Sequence, residues 1–161
     1  MAAVKEIVER VITKLKAREG QVYSVNQSQL SAGIEPQIYL RYAVLHLQQP
    51  DLGFMTSLSH CNANHPAVAT VLEAWSYGVH LHVSLHRHLL QALPIAGLRR
   101  LPLTISDHLN LPVTIHGARI MSYADAVAIS NGWLVIENKT LVTALAQETL
   151  AKRQIGLIRQ E

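Results

Sequence analysis

Histidine is the residue through which this chain could do chemistry. Nine copies stand among 161 residues, and four of them, His80, His82, His86 and His88, fall within one short stretch. Residues 79–85 alternate in character as a half-buried strand does, so His80 and His82 point to the same face. Two imidazoles so placed are a known pair of metal ligands, and His86 or His88, just into the next element, would supply a third. Against that, no carboxylate lies near them in sequence to serve as a ligand or to orient a ring. The plainer account is four half-exposed histidines flanking an apolar strand, and no metal or cofactor site is assigned.

The single cysteine, Cys61, stands beside His60 and four residues from His65. A thiol nucleophile and its base are usually distant in sequence and meet only in the fold, so this proximity says little, and cysteine is among the residues most often simply buried. One cysteine also excludes an internal disulfide, which fits a reducing cytosol. No G-x-G-x-x-G loop, Walker loop or G-x-S-x-G elbow occurs. The acidic residues of the main segment, Asp51, Glu73, Asp107, Asp125, Glu137, Glu148 and Glu161, are spread over separate elements, so no carboxylate pair for acid–base work is evident. No catalytic residue is assigned.

Which elements would position these residues? Residues 3–18 give the clearest pattern. Val4, Ile7, Val8, Val11, Ile12 and Leu15 recur at helical spacing as one apolar stripe, with Lys5, Glu6, Glu9, Arg10, Thr13 and Lys14 on the other faces. Glu6 and Arg10 form a favourable i, i+4 pair, the basic residues Lys14, Lys16 and Arg18 suit the helix C-terminus, and Gly20 ends it. Residues 20–37 are polar and contain Gly33 and Pro36, which reads as a linker with room for one short strand. The expected organisation is therefore an amphipathic helix over 1–19, a linker over 20–37, and a main domain over 38–161.

Within that domain, residues 38–47 read as a buried strand and Pro50-Asp51 as the start of a turn. Residues 65–77 read as a helix with Pro66 in its first turn, and 79–85 as a strand running into a short helix that Pro94 stops. Residues 101–106 and 111–116 form a hairpin about 107–110. Ser122 and Asp125 have capping-box spacing and open a helix through about Ser130. Strands at 133–137 and 140–143, a helix at 144–154 and a last strand at 157–159 follow. This order predicts an α/β fold, a mixed sheet with flanking helices.

Composition narrows the function classes. Apolar residues make up 49% and charged residues 16%, at a mean hydropathy of +0.16. A sizeable core is therefore available, and so is surface for another protein to cover. No apolar run approaches the roughly 20 residues that span a bilayer, and Glu6, Glu9, Arg10 and Lys14 interrupt any secretory signal. Of 14 basic and 11 acidic residues, five and two fall in residues 1–18, which leaves nine of each beyond. With 5% aromatics and scattered basic residues, no nucleic-acid-binding face is expected. A membrane-surface role for the helix is disfavoured by Glu6, Glu9 and the lack of aromatic anchors.

From Ser84 onward an ordered set of residues resembles a known family. It runs through Ser84-Leu85-His86, Leu89-Leu90, Pro94, Arg100-Leu101-Pro102-Leu103, Leu111-Pro112, His116 and Ser122-Tyr123 with Asp125. Gly132 before a Val-Ile strand follows, and the tail gives Val142-Thr143-Ala144, Ile155, Leu157-Ile158 and Gln160-Glu161. In order and spacing these resemble the PduM family of propanediol-utilisation microcompartments, most strongly over residues 84–161. His86 matches the pattern, whereas His80, His82 and His88 lie outside it. The resemblance implies a non-catalytic component needed for compartment assembly. It also implies that the N-terminal helix docks on shell or cargo proteins, with Val4, Ile7, Val8, Val11, Ile12 and Leu15 as the partner-binding face. The competing reading is a small-molecule- or metal-binding accessory enzyme, with its pocket at the carboxyl ends of the strands.

Overall fold

The computed structural model describes all residues from Met1 to Glu161. The chain opens with α1 (Ala2–Arg18), then β1 (Val22–Asn26), α2 (Gln27–Ala32), α3 (Pro36–Arg41) and β2 (Val44–Gln48). Next come α4 (Leu52–Ser59), α5 (Pro66–Ser76), β3 (His80–Leu85), a 3-10 turn over Arg87–Ala92, α6 (Ile95–Leu98) and β4 (Leu103–Asp107). The last third holds β5 (Pro112–His116), β6 (Ile120–Met121), α7 (Tyr123–Val127), β7 (Trp133–Ile136), β8 (Leu141–Val142), α8 (Ala144–Lys152) and β9 (Gly156–Arg159).

Seven strands form one mixed sheet in the order β1-β2-β3-β4-β5-β7-β9, while β6 and β8 pair in a small sheet of their own. All neighbours in the main sheet are parallel except β4 and β5, which run antiparallel. That single reversal organises the molecule. Right-handed crossovers that step one strand at a time in one direction put all their helices on one face. After the reversal, stepping on in the same direction puts the helices on the opposite face. The two cores follow this division. Leu45, Leu47, Leu81, Val83 and Leu85 of β2 and β3 bury against Leu30, Tyr39, Phe54, Met55, Leu58, Val68 and Val71 of α2 to α5. On β7, Val135 joins that larger core, whereas Leu134 and Ile136 turn the other way and bury against Ala126 of α7 and Ala146 and Leu150 of α8.

Several elements differ from the sequence reading. Residues 38–47 are not one strand: Pro36 at the first helical position starts α3, which buries Tyr39, and the strand begins only at Val44. The segment 20–37 holds the edge strand β1 and the helix α2. A reciprocal Asn26–Gln29 capping box starts α2, and Val25 and Leu30 are buried in the larger core. Asp51 accepts the Phe54 amide and opens α4 where only a turn was read. The Ser122–Asp125 capping box forms as expected, and the strands expected at 111–116 and 133–137 form over Pro112–His116 and Trp133–Ile136.

Asp107 secures the reversal. Its side chain is 1% exposed, and its Oδ1 accepts the Leu109 and Leu111 amides at 2.8 Å each, which closes the β4–β5 turn. Its Oδ2 accepts the Trp133 indole N–H at 2.9 Å, which ties the turn to β7. The Trp133 ring in turn lies against Gly156 of β9, where a Cβ would collide with it. Gly132, at φ 91°, brings the chain into β7 so close to the Pro112 carbonyl that only glycine fits. Asp107→Ala should therefore cost roughly 2–4 kcal/mol of unfolding free energy, because it removes three part-buried, charge-assisted hydrogen bonds at once. Trp133→Phe, which removes one of the three bonds, should cost less. Urea unfolding measures both, and a cost for Asp107→Ala below about 0.5 kcal/mol would show that the turn holds without the carboxylate.

Candidate functional site

Two surfaces carry the residues singled out by the sequence. The first is α1. Val4, Ile7, Val8, Val11, Ile12 and Leu15 are all between 44 and 62% exposed, and no residue of the helix is buried. An ordinary first helix would turn this stripe onto the domain. Here α1 meets the domain at its C-terminal end, against α3, where Arg18 Nη1 donates to the Tyr39 carbonyl at 2.7 Å and the Tyr77 carbonyl at 3.1 Å. Toward the N-terminus, the Glu6–Arg10 pair at 2.7 Å braces the solvent side.

The second surface is the sheet face over β2 to β4 opposite the larger core, which no helix of the chain covers. His80 and His82 share this face, and the parallel register adds a third histidine that sequence spacing did not single out. His46 pairs with His82 across β2 and β3, and His82 pairs with Thr104 of β4. Six side chains are joined in a row. His46 Nε2 meets the Ser84 hydroxyl at 2.6 Å, and Ser84 meets Ser106 at 3.2 Å. His82 bridges Ser106 through Nε2 at 2.9 Å and Thr104 through Nδ1 at 2.7 Å, and Thr104 meets His80 Nε2 at 3.1 Å. Strand alternation in 44–48, 80–85 and 103–107 held the signal for Ser84, Thr104 and Ser106, but only the register shows that these residues adjoin.

The chemistry open to this row is limited. Ser84 and His46 have the spacing of a nucleophile and its base. However, Ser84 is 8% exposed, and no carboxylate orients His46 as acyl transfer requires. Burial lowers the basicity of His46. Burial, helped by the neighbouring His46 and His80, lowers that of His82. His86 and His88 belong to a separate cluster at the carboxyl ends of β3 and β4. There the His86 ring stacks on His88 at 4.5 Å and on His108 at 4.1 Å. Desolvation, with His108, His88 and Arg87 nearby, lowers the basicity of His86. Nowhere do three His, Cys, Asp or Glu side chains converge in a way that could hold a metal ion. Cys61 is exposed, while His65 turns edge-on to Phe54. At the carboxyl ends of β7 and β9 a groove of about 340 Å³ is lined in part by His60, Glu137, Asn138 and Glu161. No helix is long and apolar enough to cross a membrane.

The fold presents a mixed α/β domain, a first helix whose apolar stripe stays exposed, and a row of histidines bonded mainly to hydroxyls. Comparison with known proteins places the chain in a family. The family described as putative propanediol utilisation matches residues 6–156. The bacterial microcompartment assembly protein PduM of Citrobacter freundii is 37% identical over 159 residues, covering 98% of this chain and 97% of that protein. Its namesake in Salmonella typhimurium strain LT2 is 30% identical over 158 residues, with the same coverage. The chain belongs to this propanediol-utilisation family, that of the PduM proteins. No solved structure matches it.

The buried ionisable groups set a pH dependence. A histidine whose basicity falls on folding takes up its proton more readily in the unfolded chain. Stability is then lost as pH drops below the ordinary value of 6.5. Burial would raise the Asp107 carboxyl, but hydrogen bonds from Trp133, Leu111 and Leu109, with His108 nearby, outweigh it and hold the group below its ordinary 3.8. Its contribution is lost as pH falls further, through that depressed value. Urea midpoints measured between pH 8 and 3 should therefore fall in two stages, and His46→Gln with His82→Gln should flatten only the upper one. A wild-type midpoint constant from pH 7.5 to 5 would contradict the first stage.

Proposed function

We propose that this chain is a structural and assembly component of a bacterial microcompartment for propanediol utilisation, that it works there without catalysis, and that α1 is its docking element. The observation that carries this reading is the α1 stripe. Six apolar side chains are presented to solvent on a helix that touches its own domain only near one end. A row of such side chains is the usual way an amphipathic helix enters a partner's groove. The names of the PduM relatives supply the setting, and shell or cargo proteins are the partners that such a setting offers. Residues 1–19 then act as the addressed module and the α/β domain as the body that it delivers or anchors. β1 and α2 belong to the body, so the tether between the two is short.

Burying apolar side chains of this size is worth roughly 1.5–3 kcal/mol each before ordering costs. The expected result is that Ile7→Asp with Val11→Asp abolishes co-fractionation with intact microcompartments from the host. Near-ultraviolet circular dichroism and thermal midpoint should stay at wild-type values, since both side chains are exposed. Removal of residues 1–18 should likewise abolish co-fractionation, with some loss of thermal midpoint because the Arg18 bonds to the Tyr39 and Tyr77 carbonyls go with it. Association that survives both changes would move the contact from α1 to the α/β domain.

A further inference from the structure

The α1 stripe does not end at the tip of the helix. Ile7, Val11, Lys14 and Arg18 are spaced four, three and four residues apart and so form one row along α1. The last two of them line a groove of about 450 Å³ between α1 and α3, together with Ala17, Gln37, Leu40 and Arg41. Leu40 is 52% exposed, an apolar side chain on the far wall of the groove. The apolar row thus runs without a break into a groove with three cations on its rim.

Those cations are not neutralised. The chain's two ion pairs, Glu6–Arg10 and Glu148–Lys152, do not involve them. Arg18 spends its Nη1 on the Tyr39 and Tyr77 carbonyls, which carry no net charge. Lys14 and Arg41 are exposed and make no side-chain hydrogen bond. The dipoles of α1 and α3 favour basic residues at both C-termini, which accounts for where they sit along each helix. It does not account for their bordering a groove that also presents Leu40.

Resting on the reading of α1 as the docking element, we infer that the partner contributes an amphipathic protein segment whose apolar ridge ends in carboxylates. The ridge lies along Ile7 and Val11, and the carboxylates enter the groove to meet Lys14, Arg18 and Arg41. The charge balance fits this occupant, because residues 1–18 carry the chain's whole excess of three positive charges. A nucleic acid would use the cations but leave the apolar row bare. A bilayer would have to accept Glu6 and Glu9 on a helix without aromatic anchors. The arrangement also fixes direction. The carboxylates lie at the α3 end of the docked segment, and their attraction speeds encounter more than it deepens affinity.

The test uses full-length protein with purified microcompartments from the host as the probe. Lys14→Glu with Arg41→Glu, two exposed positions that leave the Arg18 clamp intact, is compared with the Ile7→Asp, Val11→Asp pair. The charge reversal should lower co-sedimentation roughly tenfold at low salt, and the difference from wild type should shrink above about 0.5 M salt. Lys14→Arg with Arg41→Lys should bind as wild type. If the charge reversal co-sediments like wild type while the apolar variant is lost, the acidic partner is refuted and the stripe still stands. If neither variant is lost, the docking reading itself falls, and the inference with it. Binding of wild type to polyuridylate or to phosphatidylserine vesicles, lost on charge reversal, would overturn the inference in favour of a phosphate ligand.

Discussion

The carboxylate of Asp107 is the constraint on which the rest of the structure depends. It stands where the sheet changes direction, between β4 and β5, and its three hydrogen bonds close that turn and reach across to Trp133. A buried anion is tolerable only when so many donors face it. Because the turn is fixed, β5 must run back along β4, and the crossovers that follow must put α7 and α8 on the face opposite α2 to α5. The two cores therefore exist because of one local arrangement. Gly132 and Gly156 are its geometric corollaries, each clearing space for a neighbour of the same corner.

The reversal also explains the histidines. Parallel strands are usually covered on both faces. Here the first four strands step in one direction, so their helices gather on one face, and α7 and α8 cover the other face only from β7 onward. The sheet between is left with one side uncovered. Apolar side chains there would present a large sticky surface, so the positions are taken by His46, His80, His82, Ser84, Thr104 and Ser106. Their mutual hydrogen bonds satisfy the half-buried polar groups without bringing in charge. A cluster that looks like a reactive centre in sequence is accounted for, in the fold, by the needs of a bare sheet face.

How much of this was legible beforehand follows from the range of the interactions involved. The α1 stripe, the Ser122–Asp125 cap and the strand alternation of 80–85 are local patterns, and all three were readable. The same-face placement of His80 and His82 needed only the two-residue period of a strand. His46 was not found because its place beside His82 depends on parallel register across some 36 residues of intervening chain. The helix α3 reads as strand because Ile38-Tyr39-Leu40 is apolar enough for either, and the N1 proline that decides the matter falls at the end of a polar stretch that reads as linker. The arginines misled in another way. Arg18, Arg99, Arg153 and Arg159 all donate to backbone carbonyls rather than to carboxylates, a use that charge counting cannot register.

Among those clamps, Arg18 links structure to the proposed role. A short helix with no buried side chain draws little stability from its domain, so its order and position rest on what holds its ends. Arg18 holds one end to two carbonyls from different parts of the fold, the end of α5 and the middle of α3. The other end reaches out with its apolar stripe unspent. A helix wholly detached would lose more entropy on docking, and one laid flat on the domain would have no stripe left to offer. Pinned at one end, α1 keeps a defined direction and its apolar surface together, and those two properties are what a docking element needs.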